Sequence, residues 1–580
     1  MPPSLTRDEW IASKLRLTKV LPYQAASPPF VSNLLLAILS GLLMVFAFPE
    51  WGLWSFGWIG AAPLIMAAVR EPRFWRSFAL GTVTGIVFYM GTSYWVTYSM
   101  HNYGGISVPL CFVIGLVISS TLGAFTGLFA GTMARLVRRF GGWTVLVSPL
   151  IWAASELARL AVTGMGWNSL GYSQAFQPSV IQISQFGGVY LVSALLVLES
   201  SALVFALIYL ERPRGLIVLT IALSIAIVNA VYGQRVTRGA DLPGSVAVAV
   251  VQPNLPIEGN WDSSESVSRS IDTHIDMSRA AIGGISENAK AGEDGSNAGN
   301  QNSDPAPGRA NERSAEGGSP KVSLVVWPES PMPIEYDNDR GLRDRLAEFT
   351  RAANTSLLMN TWESPDGKGV RNSAIIISPA GEKVFEYDKV ALLPFGEYVP
   401  GRSWIPFMSR VTALVGEVTP GTGVKTSDVA GARVGTFICF EVTRPDVARR
   451  LRLEGASALI QLSDEAWFGP SAAPRQMLAD SIFRAVENNV DLVRSTNSGD
   501  SAKIDCYGRI HGLTPMFEPA TRTWQIKNVS EANEDTMTFY TKHGDVFGVA
   551  SVVLSVLSFG ISFIPEKWTK GAGKESRSYD

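Results

Sequence analysis

Three reactive side chains stand in surroundings that suit covalent catalysis. Cys439 follows the apolar run Val434–Ile438 and precedes Phe440 and Glu441, and the stretch Arg444–Leu453 has a helical pattern. A nucleophile at a strand-to-helix turn is open to substrate, and backbone N–H groups of such a turn face a developing oxyanion. The plainer reading of Cys439 is a buried, inert core cysteine. Glu329 lies in Val325-Val-Trp-Pro-Glu-Ser330, after a run too apolar to be exposed. A free thiol has a pKa of ~8.5 and needs a proton acceptor near neutral pH. A carboxylate here supplies one, or else simply caps a loop. Lys389 lies in Tyr387-Asp-Lys-Val-Ala-Leu-Leu-Pro-Phe-Gly-Glu-Tyr-Val-Pro400. An ammonium group beside a tetrahedral intermediate stabilises its oxyanion, although most lysines are surface residues. Glu397, in the same segment, is placed to orient that lysine or to share the base role.

The elements that must position these groups fall into two regions. Residues 244–541 alternate short β-branched runs, such as Val246–Val251, Val322–Trp327, Ala374–Ile377, Val434–Cys439 and Ala458–Leu462, with helical patterns such as Gly341–Ala353 and Arg475–Asn488. That alternation predicts an α/β domain on buried sheets. Ser286–Pro320 has no aromatic residue and no Val, Ile, Leu or Met; it cannot offset its ordering entropy and reads as a disordered insertion, 286–320.

The rest of the chain is written for lipid. Only 17% of its residues are charged, against 47% hydrophobic, a balance suited to a part-membrane protein. Seven apolar runs of about 20 residues, the length that crosses ~30 Å of hydrocarbon, occupy 31–234: Val31–Phe48, Leu53–Val69, Phe78–Met100, Val108–Leu136, Trp143–Val162, Val189–Leu210 and Leu216–Val231. An eighth, Val546–Ile564, follows the α/β region. The first run is too long for a signal-peptide core and a second follows almost at once. Lys and Arg gather in the tail 1–30, after the second, fourth and sixth runs, and in the tail 565–580, and are nearly absent after the first, third and fifth. Positive residues collect on the cytoplasmic side, so both termini are expected there, with 244–541 on the opposite face.

Several classes are excluded or disfavoured. The formal net charge of −2 argues against a nucleic-acid partner. Three cysteines (Cys111, Cys439, Cys506) and four histidines form no metal-ligand pattern, so neither a zinc site nor a disulfide framework is expected; counting alone leaves a Cys439–Cys506 bridge open. Few charges interrupt the spans, Glu156, Arg159 and Glu199 being exceptions, which disfavours a transporter.

In order, Trp327-Pro-Glu-Ser330, then Lys389 with Leu392-Leu-Pro-Phe-Gly-Glu-Tyr-Val-Pro400, then Ile438-Cys-Phe-Glu441 is similar to the pattern of the nitrilase superfamily with its Glu–Lys–Cys triad. With spans on both flanks, the chain resembles the apolipoprotein N-acyltransferases; Gly171-Tyr-Ser-Gln174, Ala466-Trp-Phe-Gly469 and Arg494-Ser-Thr-Asn497 extend the match. The resemblance implies a polytopic α-helical membrane bundle of about eight spans, plus an α/β nitrilase-like αββα sandwich. It implies Glu329 as general base, Lys389 as oxyanion stabiliser and Cys439 as nucleophile, with Glu397 and Glu441 in support. It implies no cofactor, a phospholipid acyl donor, a diacylglyceryl-modified apolipoprotein acceptor, and a bacterial inner membrane with the catalytic domain on the periplasmic side. Nothing requires more than a monomer.

Trp261 matches a tryptophan near the site. Trp404 and Phe407, with Met408, Val411, Leu414 and Val415, either dip into the interface or cover the site, or are ordinary core; the same choice holds for Trp467 and Phe468. Tyr172 and Phe440 complete the lipid-binding candidates. Two departures from the family pattern stand out. Phe440 replaces a usual Tyr, and Ser463-Asp-Glu-Ala466 replaces a usual Ser-Asn-Asp-Ala. A membrane-tethered amidase using the same residues, or an inactive lipid-binding protein, are the rival readings.

Overall fold

The computed structural model describes residues 30–239, 244–257, 264–293, 321–330, 334–364, 369–399, 417–530 and 533–564. Trp261, Trp404, Phe407, Met408, Val411, Leu414 and Val415 lie outside the described residues. The first part is helical: α1 (Phe30–Ala47), α2 (Ala62–Arg70), α3 (Phe74–Thr92), α4 (Trp95–Asn102), α5 (Val108–Phe140), α6 (Ser148–Thr163), α7 (Ser184–Ile208) and α8 (Pro213–Thr237). Among the described residues, five segments are long and apolar enough to cross a membrane: Phe30–Ala47, Val108–Phe140, Gly142–Thr163, Ser184–Ile208 and Pro213–Thr237.

Those five coincide with the first, fourth, fifth, sixth and seventh expected runs; the count of eight is not reached. The second run, Leu53–Val69, becomes a 3-10 turn at Trp54–Trp58 and the nine-residue α2, about 14 Å long at 1.5 Å per residue and too short to span. Pro63 near the start of α2 favours a new helix there rather than a continuation. The third run, Phe78–Met100, breaks at Ser93 into α3 and α4. The eighth becomes α14 (Val546–Ile561), 16 residues and about 24 Å. Helices α3 and α5 approach most closely where small residues meet. A Cβ on Gly85 would come within 2.4 Å of the Cα of Gly123, the close backbone contact by which helices associate in lipid.

The α/β region contains β1 (Val246–Gln252), α9 (Ser264–Glu293), β2 (Val322–Val326), α10 (Arg340–Ala353), β3 (Ser356–Glu363), β4 (Arg371–Ile377), β5 (Lys383–Asp388), β6 (Thr426–Val429), β7 (Ala432–Ile438), α11 (Pro445–Leu453), β8 (Ala458–Ser463), α12 (Ala473–Asn488), β9 (Asp491–Thr496), β10 (Ala502–Ile504), β11 (Ile510–His511), β12 (Ala520–Ile526) and α13 (Phe539–His543). Helix α9 runs into the stretch that begins at Ser286, and residues 294–320 lie outside the described residues. One six-stranded sheet has the order β12-β1-β2-β3-β4-β5 and the other β11-β10-β9-β8-β7-β6. Both have parallel centres, β1-β2-β3 and β7-β8-β9, with antiparallel edges.

Strand alternation divides the side chains between two cores. Val248 and Val250 of β1, Leu324 and Val326 of β2, Leu358 of β3 and Ile376 of β4 face the second sheet. Ala249, Val251, Val325, Leu357, Met359, Ile375 and Ile377 turn outward onto Ile271 and Ile275 of α9 and Leu342, Leu346 and Phe349 of α10. Burial on both faces explains why these strands read as continuous apolar runs. On the second sheet, every residue of α12 except Arg475 is buried, because α12 lies between that sheet and the membrane helices, contacting α7.

Candidate active site

Cys439 is the first residue of a 3-10 turn, Cys439–Thr443, that follows β7 directly. Its φ is +50°, a left-handed conformation that costs a residue bearing a Cβ of order 1 kcal/mol or more. The surroundings hold it there. The Glu441 carboxylate accepts from the Ile438 N–H at 2.8 Å, and the Thr443 hydroxyl donates to the Phe440 carbonyl at 2.9 Å. Pro445 then opens α11. All three cysteines are free, which closes the question of a Cys439–Cys506 bridge.

Glu329 arrives from the loop after β2. Its Oε1 accepts from Asn372 Nδ2 at 2.9 Å and its Oε2 from the Asp464 N–H at 3.1 Å. The Cys439 thiol lies close enough to Glu329 and Lys389 for both charges to act on it. Lys389, just past β5, is 2% exposed. Its Nζ lies 2.8 Å from Glu397 Oε1 and 3.9 Å from Glu329 Oε1. Glu397 is therefore the closer partner of the lysine. Glu397 also accepts from the Leu393 N–H at 2.7 Å and from Asn372 Nδ2 at 3.1 Å.

Electrostatics follow from burial and these neighbours. Burial pushes the Cys439 thiol well above its usual range, the charge on Glu329 pushes it further, and Lys389 acts in the opposite sense. The resting thiol is therefore protonated and must pass its proton to a neighbour when it attacks. Burial pulls the Lys389 ammonium down, but the charges of Glu397 and Glu329 outweigh that and raise it; the lysine stays cationic.

Glu441 is a brace. Its carboxylate accepts from Tyr387 Oη at 2.8 and 2.9 Å, from the Val390 and Ala391 N–H groups at 2.8 and 3.0 Å, and from Ile438. It joins the cysteine turn to the segment carrying Lys389. Phe440 is 3% exposed and Trp167, in the loop after α6, stacks on it with ring centroids 6.2 Å apart. Phe468 is buried edge-on against Trp95 at 4.8 Å, whereas Trp467 is 38% exposed and meets Tyr103 at 4.9 Å. Tyr172 lies in the junction with α12, where Arg484 Nη2 donates to its hydroxyl at 3.0 Å.

Asn372 gave no signal in the sequence, and Asp464 showed there only as a departure from the family pattern. Asn372, at the start of β4, donates to both carboxylates, and Asn360 of β3 donates to Asn372 Oδ1 at 2.7 Å. Asp464, fully buried, accepts from Asn497 Nδ2 at 3.0 Å, and burial first among causes raises its pKa to about 8. It holds a proton at neutral pH and so resembles an amide. Among the described residues no group of His, Cys, Asp and Glu could hold a metal ion.

Two family models match the chain: the Apolipoprotein N-acyltransferase N-terminal domain over residues 40–202 and Carbon-nitrogen hydrolase over residues 247–532. The chain is 32% identical to the apolipoprotein N-acyltransferase of Geobacter metallireducens, with 91% of this chain and 95% of that one covered. It is 29% identical to that of Azotobacter vinelandii, over 84% and 87% of the two chains. Among solved structures, an amidase from Nesterenkonia sp. matches 51% of this chain and 95% of its own at 15% identity and a TM-score of 0.32, too loose a likeness to argue from.

Proposed function

The chain belongs to the apolipoprotein N-acyltransferase family, and on that premise we propose a two-step acyl transfer through a thioester on Cys439. Glu329 takes the thiol proton as sulfur attacks the ester carbonyl of a phospholipid. Lys389 donates to the oxyanion. The ester C–O bond breaks, the leaving oxygen takes the proton from Glu329, and a lysophospholipid departs. The α-amine of an S-diacylglyceryl-cysteine at a lipoprotein N-terminus then attacks the thioester. Glu329 takes the amine's proton and returns it to the sulfur as the C–S bond breaks, leaving an amide and the free thiol. Glu397 holds Lys389 in place, and Glu441 holds the two segments together.

One observation carries this reading. Glu329, Asn372, Glu397 and Lys389 form one buried hydrogen-bonded chain, and the charges of Glu329 and Lys389 both act on the buried Cys439 thiol. A thiol with a raised pKa needs an adjacent base, and a cation beside the base stabilises the charge that forms on oxygen.

The membrane reading supports the choice of substrates. Both are anchored in lipid, and withdrawing a chain into water costs roughly 0.8 kcal/mol per CH₂. The alternation of basic residues supports a catalytic domain, 244–541, on the periplasmic side of the inner membrane, with both termini cytoplasmic. A monomer suffices, since all the proposed chemical groups come from one chain.

The test uses purified protein and a phospholipid with a tagged acyl chain. A hydroxylamine-sensitive label on Cys439 that moves to a diacylglyceryl-cysteine peptide is expected. Loss of the label to water instead would make the protein a hydrolase, and no label on folded protein would make it an inactive lipid binder. Cys439→Ser abolishes the hydroxylamine-sensitive label, and Glu329→Gln slows its formation.

A further inference from the structure

Gln476 occupies the first turn of α12 and is 3% exposed. Its Oε1 accepts from Trp167 Nε1 at 2.9 Å and from Trp95 Nε1 at 3.3 Å, and its Nε2 donates to the Thr92 carbonyl at 2.8 Å. The amide orientation is forced, because an indole N–H only donates and a carbonyl only accepts. Thr92 is the last residue of α3, where carbonyls lose their intrahelical partners. One side chain thus ties together the end of a membrane helix, the start of α4 and the loop after α6.

The two indoles it holds form an aromatic wall beside the nucleophile. Trp95 and Trp167 lie 4.7 Å apart, Phe468 packs edge-on to both, and Trp167 stacks on Phe440, the neighbour of Cys439. Trp167 is gripped from the other side as well, since Arg159 Nη1 donates to its carbonyl at 2.7 Å. Tyr98, Tyr103 and Trp467, each partly exposed, rim the buried cluster. The cluster lies between the ends of the membrane helices and the cysteine turn.

We propose that Gln476 is a positioning residue that fixes the Trp95–Trp167 pair as the wall receiving the donor's acyl chain, and so sets the preference for long chains. This rests on the acyl-transfer reading above. The chain slides from the membrane-helix ends past Phe468 and Trp167, and its carbonyl reaches Cys439 in register for attack. Without Gln476 the indoles turn, and only donors whose chains need that wall are affected.

The test compares single-turnover acylation of Cys439 by a long-chain phospholipid and by a water-soluble butyryl ester, in full-length protein in detergent. Wild type must acylate from the phospholipid; if it does not, the acyl-transfer reading itself fails. Given that, Gln476→Leu is expected to slow the long-chain reaction at least about tenfold, as misplaced substrates do, and to leave the butyryl reaction within about twofold. Equal slowing of both, or slowing of neither, overturns the proposal. Gln476→Glu, isosteric and able to accept from both indoles, decides the matter by the same ratio if the leucine variant does not fold. Its long-chain rate should be intermediate at neutral pH and recover toward wild type in acid, relative to the butyryl rate, where a protonated carboxyl again donates to Thr92. A Gln476→Glu ratio equal to wild type across the pH range also overturns the proposal.

Discussion

Replacing Glu441 by Gln tests the claim that a brace, rather than the three reactive groups alone, sets the rate. The carboxylate is 1% exposed, and burial raises its pKa against the pull of its backbone donors. One oxygen serves Val390, Ala391 and Tyr387; the other serves Ile438 and Tyr387. An amide has one accepting end. Turned either way, it sets an NH₂ against at least one backbone N–H. The cheaper orientation orphans Ile438, beside the residue held at φ +50°. Losing a charged acceptor and stranding a buried donor costs about 1–3 kcal/mol each, so about 2–6 kcal/mol in total. Felt at the attack geometry, that is about 30- to 30,000-fold in rate. The assay is single-turnover labelling of Cys439 by the tagged phospholipid, read beside thermal unfolding in detergent. A folded Glu441→Gln protein that acylates within threefold of wild type, with an unchanged melting temperature, would refute the reasoning.

Three further outcomes follow from the same geometry. Lys389→Met strands two buried carboxylates and should lower stability by about 3–5 kcal/mol and abolish acylation, read by melting temperature and label. Asn372→Leu removes the donor shared by Glu329 and Glu397; labelling should fall about 10- to 100-fold with less loss of stability than Lys389→Met. Burial raises the pKa of Asp464 to about 8, against 3.8 for a free aspartate. Between those values the folded state binds more protons than the unfolded one, so this group makes stability fall as pH rises, until the slope ends above pH 8. Asp464→Asn should remove that slope, raising the melting temperature at pH 8 by several degrees and leaving it nearly unchanged at pH 4; an identical pH profile in both proteins counts against a proton on Asp464.

Cys439 and Glu329 follow buried strand runs, β7 and β2, whereas Lys389 follows the half-exposed β5, and the three stood out in the sequence through the order of their motifs rather than singly. Asn372 was not legible, because its two carboxylate partners come from distant parts of the chain and nothing local records them. The relative roles of Glu329 and Glu397 toward the lysine were equally hidden, since both readings fit the sequence and the distances of 2.8 and 3.9 Å separate them. Hydrophobic length alone did not show where the helices break: a turn at Trp54–Trp58 interrupts Leu53–Val69, and Ser93 ends the 19-residue helix within Phe78–Met100.

The intramembrane charges show what such breaks do. Glu156 accepts from the Leu170 N–H at 2.7 Å, and Arg159 donates to the Met165 and Trp167 carbonyls at 2.8 and 2.7 Å. These groups satisfy the irregular backbone after α6, as non-helical backbone next to apolar helices requires. Helix α12 repeats the logic from the catalytic side. Gln476, Asp480, Arg484 and Glu487, four or three residues apart, share one buried face that meets the membrane unit. Arg484 pairs with Glu487 at 2.9 Å with neither exposed, Arg484 also donates to the Tyr172 hydroxyl at 3.0 Å, and Glu487 accepts from the Val189 N–H beside the kink at Gly187 and Gly188. A buried ion pair contributes little net stability but is costly to break. Such a stripe therefore fixes one docking of the two units rather than many, and that single docking aligns the Trp95–Trp167 wall with the cysteine turn.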